Sequence, residues 1–251
     1  MTIRGIRIPM MASLLIWALL WELVGQAGVT ILLPPFSQIL VRMVEIVPSK
    51  PYLDGLAITA ETFLLGNLIA IAAGVPLGVA MGRSVLVDRV LLPWVNLFVS
   101  APLTALVPVI MVLFGLGHTT IVLTVVLFAV WIIVLDTRAG VRGIAPSLVE
   151  MARSYGAGPV QAFVKIYLPA ALPEILTGIR LGLIRAVKGV VIGQLLVSIV
   201  GFGHLFEIYS SNFLMEHFWA LVLTLFAFAF LIAEAVGWLE RRVEYYAAGR
   251  G

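Results

Sequence analysis

The chain has 251 residues, of which 62% are hydrophobic and 12% charged. Its mean hydropathy is +1.12, so a soluble domain of this size could not hide its apolar surface, whereas lipid solvates it. A net charge of +3 with no basic run interleaved with aromatics points away from nucleic acid, and the lack of cysteine excludes disulfides, thiolate catalysis and cysteine-ligated metals.

In chain order, the rule of roughly 20 apolar residues per crossing predicts six spans, at about 10–33, 56–81, 93–116, 119–136, 174–199 and 218–239. Continuous runs of this length favour helices over barrel strands, which alternate in segments of about 10 residues. The first stretch, from Ile8 to Leu33, is too long for a signal h-region and lacks a cleavage site, so it reads as an uncleaved span. Residues 34–55 follow Pro34-Pro35. Their apolar positions Phe36, Ile39, Leu40, Met43, Val44 and Val47 have the spacing of a short interfacial helix.

Lys and Arg are distributed unequally between the loops. Arg4, Arg7, Arg83, Arg89, Arg138, Arg142, Arg153, Lys165, Arg241, Arg242 and Arg250 fall on one side, and only Arg42 and Lys50 on the other. The positive-inside rule then places both termini and the loop 137–173 in the cytoplasm, which agrees with an even number of spans. No tandem repeat or linker divides the chain, so residues 1–251 read as one transmembrane domain.

The cytoplasmic loop carries the densest local signals. Pro146 interrupts the chain, and Ser147 with Glu150 has the spacing of a capping box. Leu148, Met151, Ala152 and Tyr155 form one apolar stripe. Gly156 or Gly158 stops that helix. Pro159 opens a second short helix with Val160, Phe163, Val164 and Tyr167 on one face, and Pro169 and Pro173 end it. Such a helix–turn–helix is too short and polar to span. Its stripe needs either the chain's own helix ends or a groove on a second protein.

The pattern Glu150-x-Ala152-x3-Gly156-x9-Ile166-x-Leu168-Pro169 resembles the EAA loop of permeases in binding-protein-dependent ABC importers, with Met151 replacing the second-position Ala. Gly74-Val75-Pro76-Leu77-Gly78, Leu92-Pro93, Ala101-Pro102, Phe114-Gly115-Leu116-Gly117 and Gly201-Phe202-Gly203 are similar to the branch that imports sulfonates, taurine, nitrate and related solutes, some of them thiamine precursors. The resemblance implies an all-α membrane protein of the type I importer class, with six transmembrane helices and a cytoplasmic coupling helix–turn–helix at 147–169. It further implies two permease subunits forming a homodimer, a cytoplasmic ATPase dimer that docks this loop, and an external solute-binding protein. The chain has no G-x-x-x-x-G-K-[ST] motif, so ATP and magnesium are expected in the partner ATPase and no cofactor in this chain. Glu150 either closes its local cap or touches the ATPase.

The fifth span also carries Arg180, Arg185 and Lys188. Lys188 lies 14 residues beyond Glu174, or roughly 21 Å along a helix, and a charge at that depth needs a partner or a wet cavity. Two readings stand: an ion pair with Glu61 or Glu234, or contact with the solute. By the same resemblance Gln194 stands where many sulfonate-type permeases have Glu. The three histidines make no metal-ligand spacing. An ion-driven secondary transporter would need paired carboxylates or inverted repeats, and a membrane enzyme a nucleophile–base or metal constellation; neither pattern is present.

Overall fold

The computed structural model describes the backbone of residues 2–3, 6–7, 10–197 and 199–248, and side chains at 12–197, 199–235 and 237. Of the basic residues named above, Arg4, Arg7, Arg241, Arg242 and Arg250 lie outside the described side chains. A two-residue hairpin, β1 (Thr2–Ile3) with β2 (Ile6–Arg7), precedes a chain that is otherwise helical.

The helices are α1 (Met10–Gln26), α2 (Phe36–Ile46), α3 (Lys50–Arg83), α4 (Val85–Ser100), α5 (Val107–Phe114), α6 (His118–Arg142), α7 (Pro146–Ser154), α8 (Pro159–Ala162), α9 (Leu168–Val197), α10 (Phe202–Ser211) and α11 (Met215–Ala248). Among the described residues, three segments are long and apolar enough to cross a bilayer alone: Lys50–Arg83, His118–Arg142 and Met215–Ala235. Two helix pairs, α4 with Leu103–Phe114 and Pro159–Val197 with α10, are long and apolar enough to cross only when each bent pair is counted as one span. The first expected span falls on α1, an apolar helix of 17 residues that is shorter than those three segments.

The expected third span, 93–116, is not one straight helix. It starts earlier, at Val85, and bends by 99° after Ser100. Ala101 precedes Pro102 and is extended (φ −69°, ψ 150°), as the proline ring demands of its neighbour. A 3-10 turn, Leu103–Leu106, then leads into α5. Gly115 and Gly117, both at positive φ, end α5 and admit α6.

Helix α6 is the spine. On one side α3 lies against it through glycines four or eight residues apart: Gly66 faces Val125, Gly74 faces Ile133, Gly78 faces Thr137 and Gly82 faces Val141. Positions rise together along both helices, so they run parallel, and the broken α4–α5 segment returns the chain between them. On the other side α9 runs antiparallel: Gly178 meets Asp136, Gly182 meets Ile133, Gly189 meets Val125 and Gly193 meets Ile121. A methyl at Gly78 would stand 2.6 Å from Thr137 Cβ, so each seam exists because small residues let the helices close up, which is how helices associate where lipid removes the hydrophobic drive. Phe63, Ile121, Val125, Ala129, Ile133, Ala186 and Val190 fill the core between them.

At the end away from the arginine-rich loops, α2 and α10 form a cap. Ile39, Tyr52, Phe202, Phe206 and Leu221 are buried together there. The expected interfacial helix is α2, and its Ile39 and Met43 side packs into this cluster while Leu40 and Val44 remain exposed. Trp21 and Trp219 pin the preceding loop by donating to the carbonyls of Pro34 (3.1 Å) and Leu32 (2.9 Å).

Candidate coupling site and intramembrane polar residues

Helix α6 runs out at Gly143, and Ala145 turns extended before Pro146. Pro146 is the first residue of α7, where a missing amide costs nothing. The N-cap is therefore Ala145, and no side chain caps the helix. The expected Ser147–Glu150 capping box is not formed, because both residues already lie inside the first turn.

The other end of α7 closes as its sequence predicts. Gly156 stands at φ +72°. The amide of Ala157 donates to the carbonyl of Ala152 (2.9 Å), and that of Gly156 to Arg153 (2.9 Å). These two bonds are a Schellman motif, which fixes the exit direction of the chain. No atom lies within 4 Å of a methyl built at Gly156, so the requirement there is one of backbone conformation and not of space.

Pro159 opens α8, with the Gln161 side chain accepting from the amide of Gly158 (3.3 Å). Here the structure departs from expectation. Pro169 and Pro173 do not end the second helix; the chain stays helical from Pro159 to Val197. Phe163–Tyr167 widens into a π turn, and Leu168 donates to the carbonyl of Phe163, five residues back. The shifted register just before Pro169 accommodates a residue without an amide and relieves its ring clash. The coupling segment and α9 are thus one mechanical element.

On α7, Leu148, Met151 and Tyr155 are exposed, Tyr155 at 86%, while Ala152 is buried at 6% against the chain itself. Val160, Val164 and Leu168 extend the exposed apolar surface, and Ile166 is half-buried. Glu150 is exposed on another side of α7, lining a cleft.

Two anchors hold this segment's surroundings, and sequence reading singles out neither. The guanidinium of Arg83, at the end of α3, lies over the rings of Phe163 (5.3 Å) and Tyr167 (5.2 Å). The buried carboxylate of Asp88 accepts from Arg138 Nη2 at 3.0 Å, contacts its Nε, and pairs with Arg142 Nη2 at 2.8 Å, locking α4 to the end of α6. A lone acid among basic loop residues was the available signal, but its partners lie 50 residues or more away.

Within the bundle, Gln194 is fully buried and its Nε2 donates to Thr59 Oγ1 (2.8 Å), which lies 2.7 Å from the carbonyl of Gly55. This amide ties α9 to α3. Lys188 is exposed and makes no ion pair among the described residues. Glu61 instead stands 3.8 Å from His118 Nε2, and Glu234 is exposed. Neither carboxylate meets Lys188 within this chain. Arg185 is half-buried. Lys188 shares an uncovered face of α9 with Leu181, Ile184 and Leu195.

Residues 74–245 match the family described as binding-protein-dependent transport system inner membrane component. The chain is 29% identical to the taurine transport system permease protein TauC of Escherichia coli (strain K12), covering 84% of this chain and 78% of that one. It is 31% identical to the putative aliphatic sulfonates transport permease protein SsuC of Bacillus subtilis (strain 168), covering 74% and 68%, and 26% identical to the bicarbonate transport system permease protein CmpB of a Synechocystis strain, covering 96% and 90%. Its fold is that of a chain of the inward-facing MetNI methionine ABC transporter, with TM-score 0.64, 24% identity, and coverage of 78% of this chain and 99% of that one. The chain belongs to the family of binding-protein-dependent transport system inner membrane components, the permeases of ABC importers.

Proposed function

We propose that α7 is the element through which a cytoplasmic ATPase dimer drives this permease, and that the imported solute is a small anion. The exposed stripe Leu148, Met151 and Tyr155, held by the Schellman turn, is the observation that carries the first part. An amphipathic helix of this kind seats in a groove. Because α8, the π turn and α9 are continuous, a push on the loop moves α9 against α6. ATP and magnesium belong to the ATPase, an external receptor delivers the solute, and a second permease subunit, identical to this one, completes the path across six spans per chain with both termini cytoplasmic.

The second part rests on Lys188. A cation near mid-membrane on an uncovered helix face is costly against lipid and suits a path or subunit boundary that admits water. The relatives are named for taurine, aliphatic sulfonates and bicarbonate, solutes that each bear an anionic group, in taurine the sulfonate of a zwitterion, and a lysine on the path would attract that group. Site-directed crosslinking tests the docking face. A cysteine replacing Tyr155 should crosslink to the ATPase and one replacing Val149, on the other side of α7, should not; the reverse pattern would assign the docking to the wrong face.

A further inference from the structure

Behind α7 lies a cleft of about 860 Å³ between the α3–α4 turn, the end of α6 and the inner side of α7. Its charged lining is Arg83, Arg89, Arg142 and Arg153 against Asp88 and Glu150, a surplus of two positive charges. Two of the basic groups are already engaged. Arg142 is fixed by Asp88 (2.8 Å), and Arg83 by two aromatic rings. Arg89 and Arg153 are exposed and form no ion pair among the described residues. Arg89 stands on α4 beside Val85, Leu86 and Val90, all strongly exposed apolar side chains.

The two sides of α7 are separate. At about 100° per residue, Pro146, Val149, Glu150 and Arg153 cluster on one side of the helix, and Leu148, Met151 and Tyr155 leave roughly 180° away. A molecule in the cleft therefore does not compete with a partner on the apolar stripe.

We infer that this cleft binds the phosphate-bearing headgroup of an anionic phospholipid of the cytoplasmic leaflet. The arginines take the phosphate, and the apolar face of α4 takes the acyl chains. Basic pockets between spanning helices on the cytoplasmic side suit such headgroups, and guanidinium forks match phosphate geometry. A free phosphate shares the headgroup chemistry, but it would make no use of the Val85, Leu86 and Val90 surface beside Arg89.

The test uses the purified full chain in zwitterionic detergent, titrated with phosphatidylglycerol, phosphatidylcholine or inorganic phosphate, with bound lipid read by native mass spectrometry. Phosphatidylglycerol should be retained in preference to phosphatidylcholine. The double variant Arg89→Gln/Arg153→Gln should bind it about tenfold more weakly, at an unchanged thermal midpoint. Arg42→Gln, at the opposite end of the molecule, should bind it as the parent does. The charge-keeping pair Arg89→Lys/Arg153→Lys should retain most binding and serves if the first pair unfolds. Equal retention of phosphatidylcholine, or parental affinity in the Gln pair, would overturn the site. Inorganic phosphate binding as tightly as phosphatidylglycerol would overturn its assignment to lipid.

Discussion

Arg83, the last residue of α3, lies 5.2 Å from the ring centre of Tyr167, at the end of the π turn that leads into α9. This contact, with its twin to Phe163, joins the coupling segment to the helix that packs along the opposite side of α6. Movement at α7 thus reaches α9 through the chain and α3 through Arg83.

Arg83→Gln should leave expression and ATPase association intact and lower uptake per assembled complex about two- to fivefold, the equivalent of about 0.5–1 kcal/mol of cation–π attraction. Reconstituted transport compared with ATPase retention measures it. Unchanged transport would show that the stacking is decorative.

The glycine seams predict a graded packing series. Gly78→Leu should prevent the close approach of α3 and α6 and cost about 1–3 kcal/mol or more, read as a lowered thermal midpoint in detergent. Gly158→Ala meets nothing within 4 Å at an ordinary φ of −68° and should be neutral. Equal tolerance at the two positions would argue against the seam.

Much of the coupling loop was legible because its determinants are local. Pro146, Gly156 and Pro159 fix turns through their own backbone chemistry, and the stripe from Leu148 to Tyr155 repeats within two turns. The exceptions are instructive. The Ser147–Glu150 spacing fits a capping box, but the helix starts at Pro146, two residues too early for it. Pro169 and Pro173 read as stops, yet a π turn absorbs the first. The break at Ala101-Pro102 escapes a hydropathy window, which averages over a bend. The i, i+4 glycines of α3 and α9 were open to view as a helix-packing signal, though their register on α6 was not. Asp88 with Arg138 and Gln194 with Thr59 are long-range pairs that no local pattern specifies.

Lys188 makes no ion pair among the described residues, so its removal should not unfold the chain. Lys188→Gln should keep the parental thermal midpoint and lower anion uptake about tenfold or more, and Lys188→Glu should abolish it by like-charge repulsion. Loss of folded protein in Lys188→Gln would show instead that the lysine holds the assembly together.

The topology makes a further prediction. Single cysteines replacing Arg142, at the arginine-rich end, and Glu207, on the α10 cap, should label from opposite sides of intact cells. Labelling of both from outside would remove α7 from the cytoplasm and the docking model with it.

The most direct measurement is co-purification of the ATPase with Gly156 variants, alongside expression and uptake. Gly156 holds φ +72°, which a β-branched residue resists and Asn tolerates. Gly156→Val should insert normally but lose both the ATPase and uptake, Gly156→Ala should fall between, and Gly156→Asn should retain most of both. A well-expressed Gly156→Val protein with full ATPase retention and full uptake would contradict the claim that α7 couples this permease to its energy source.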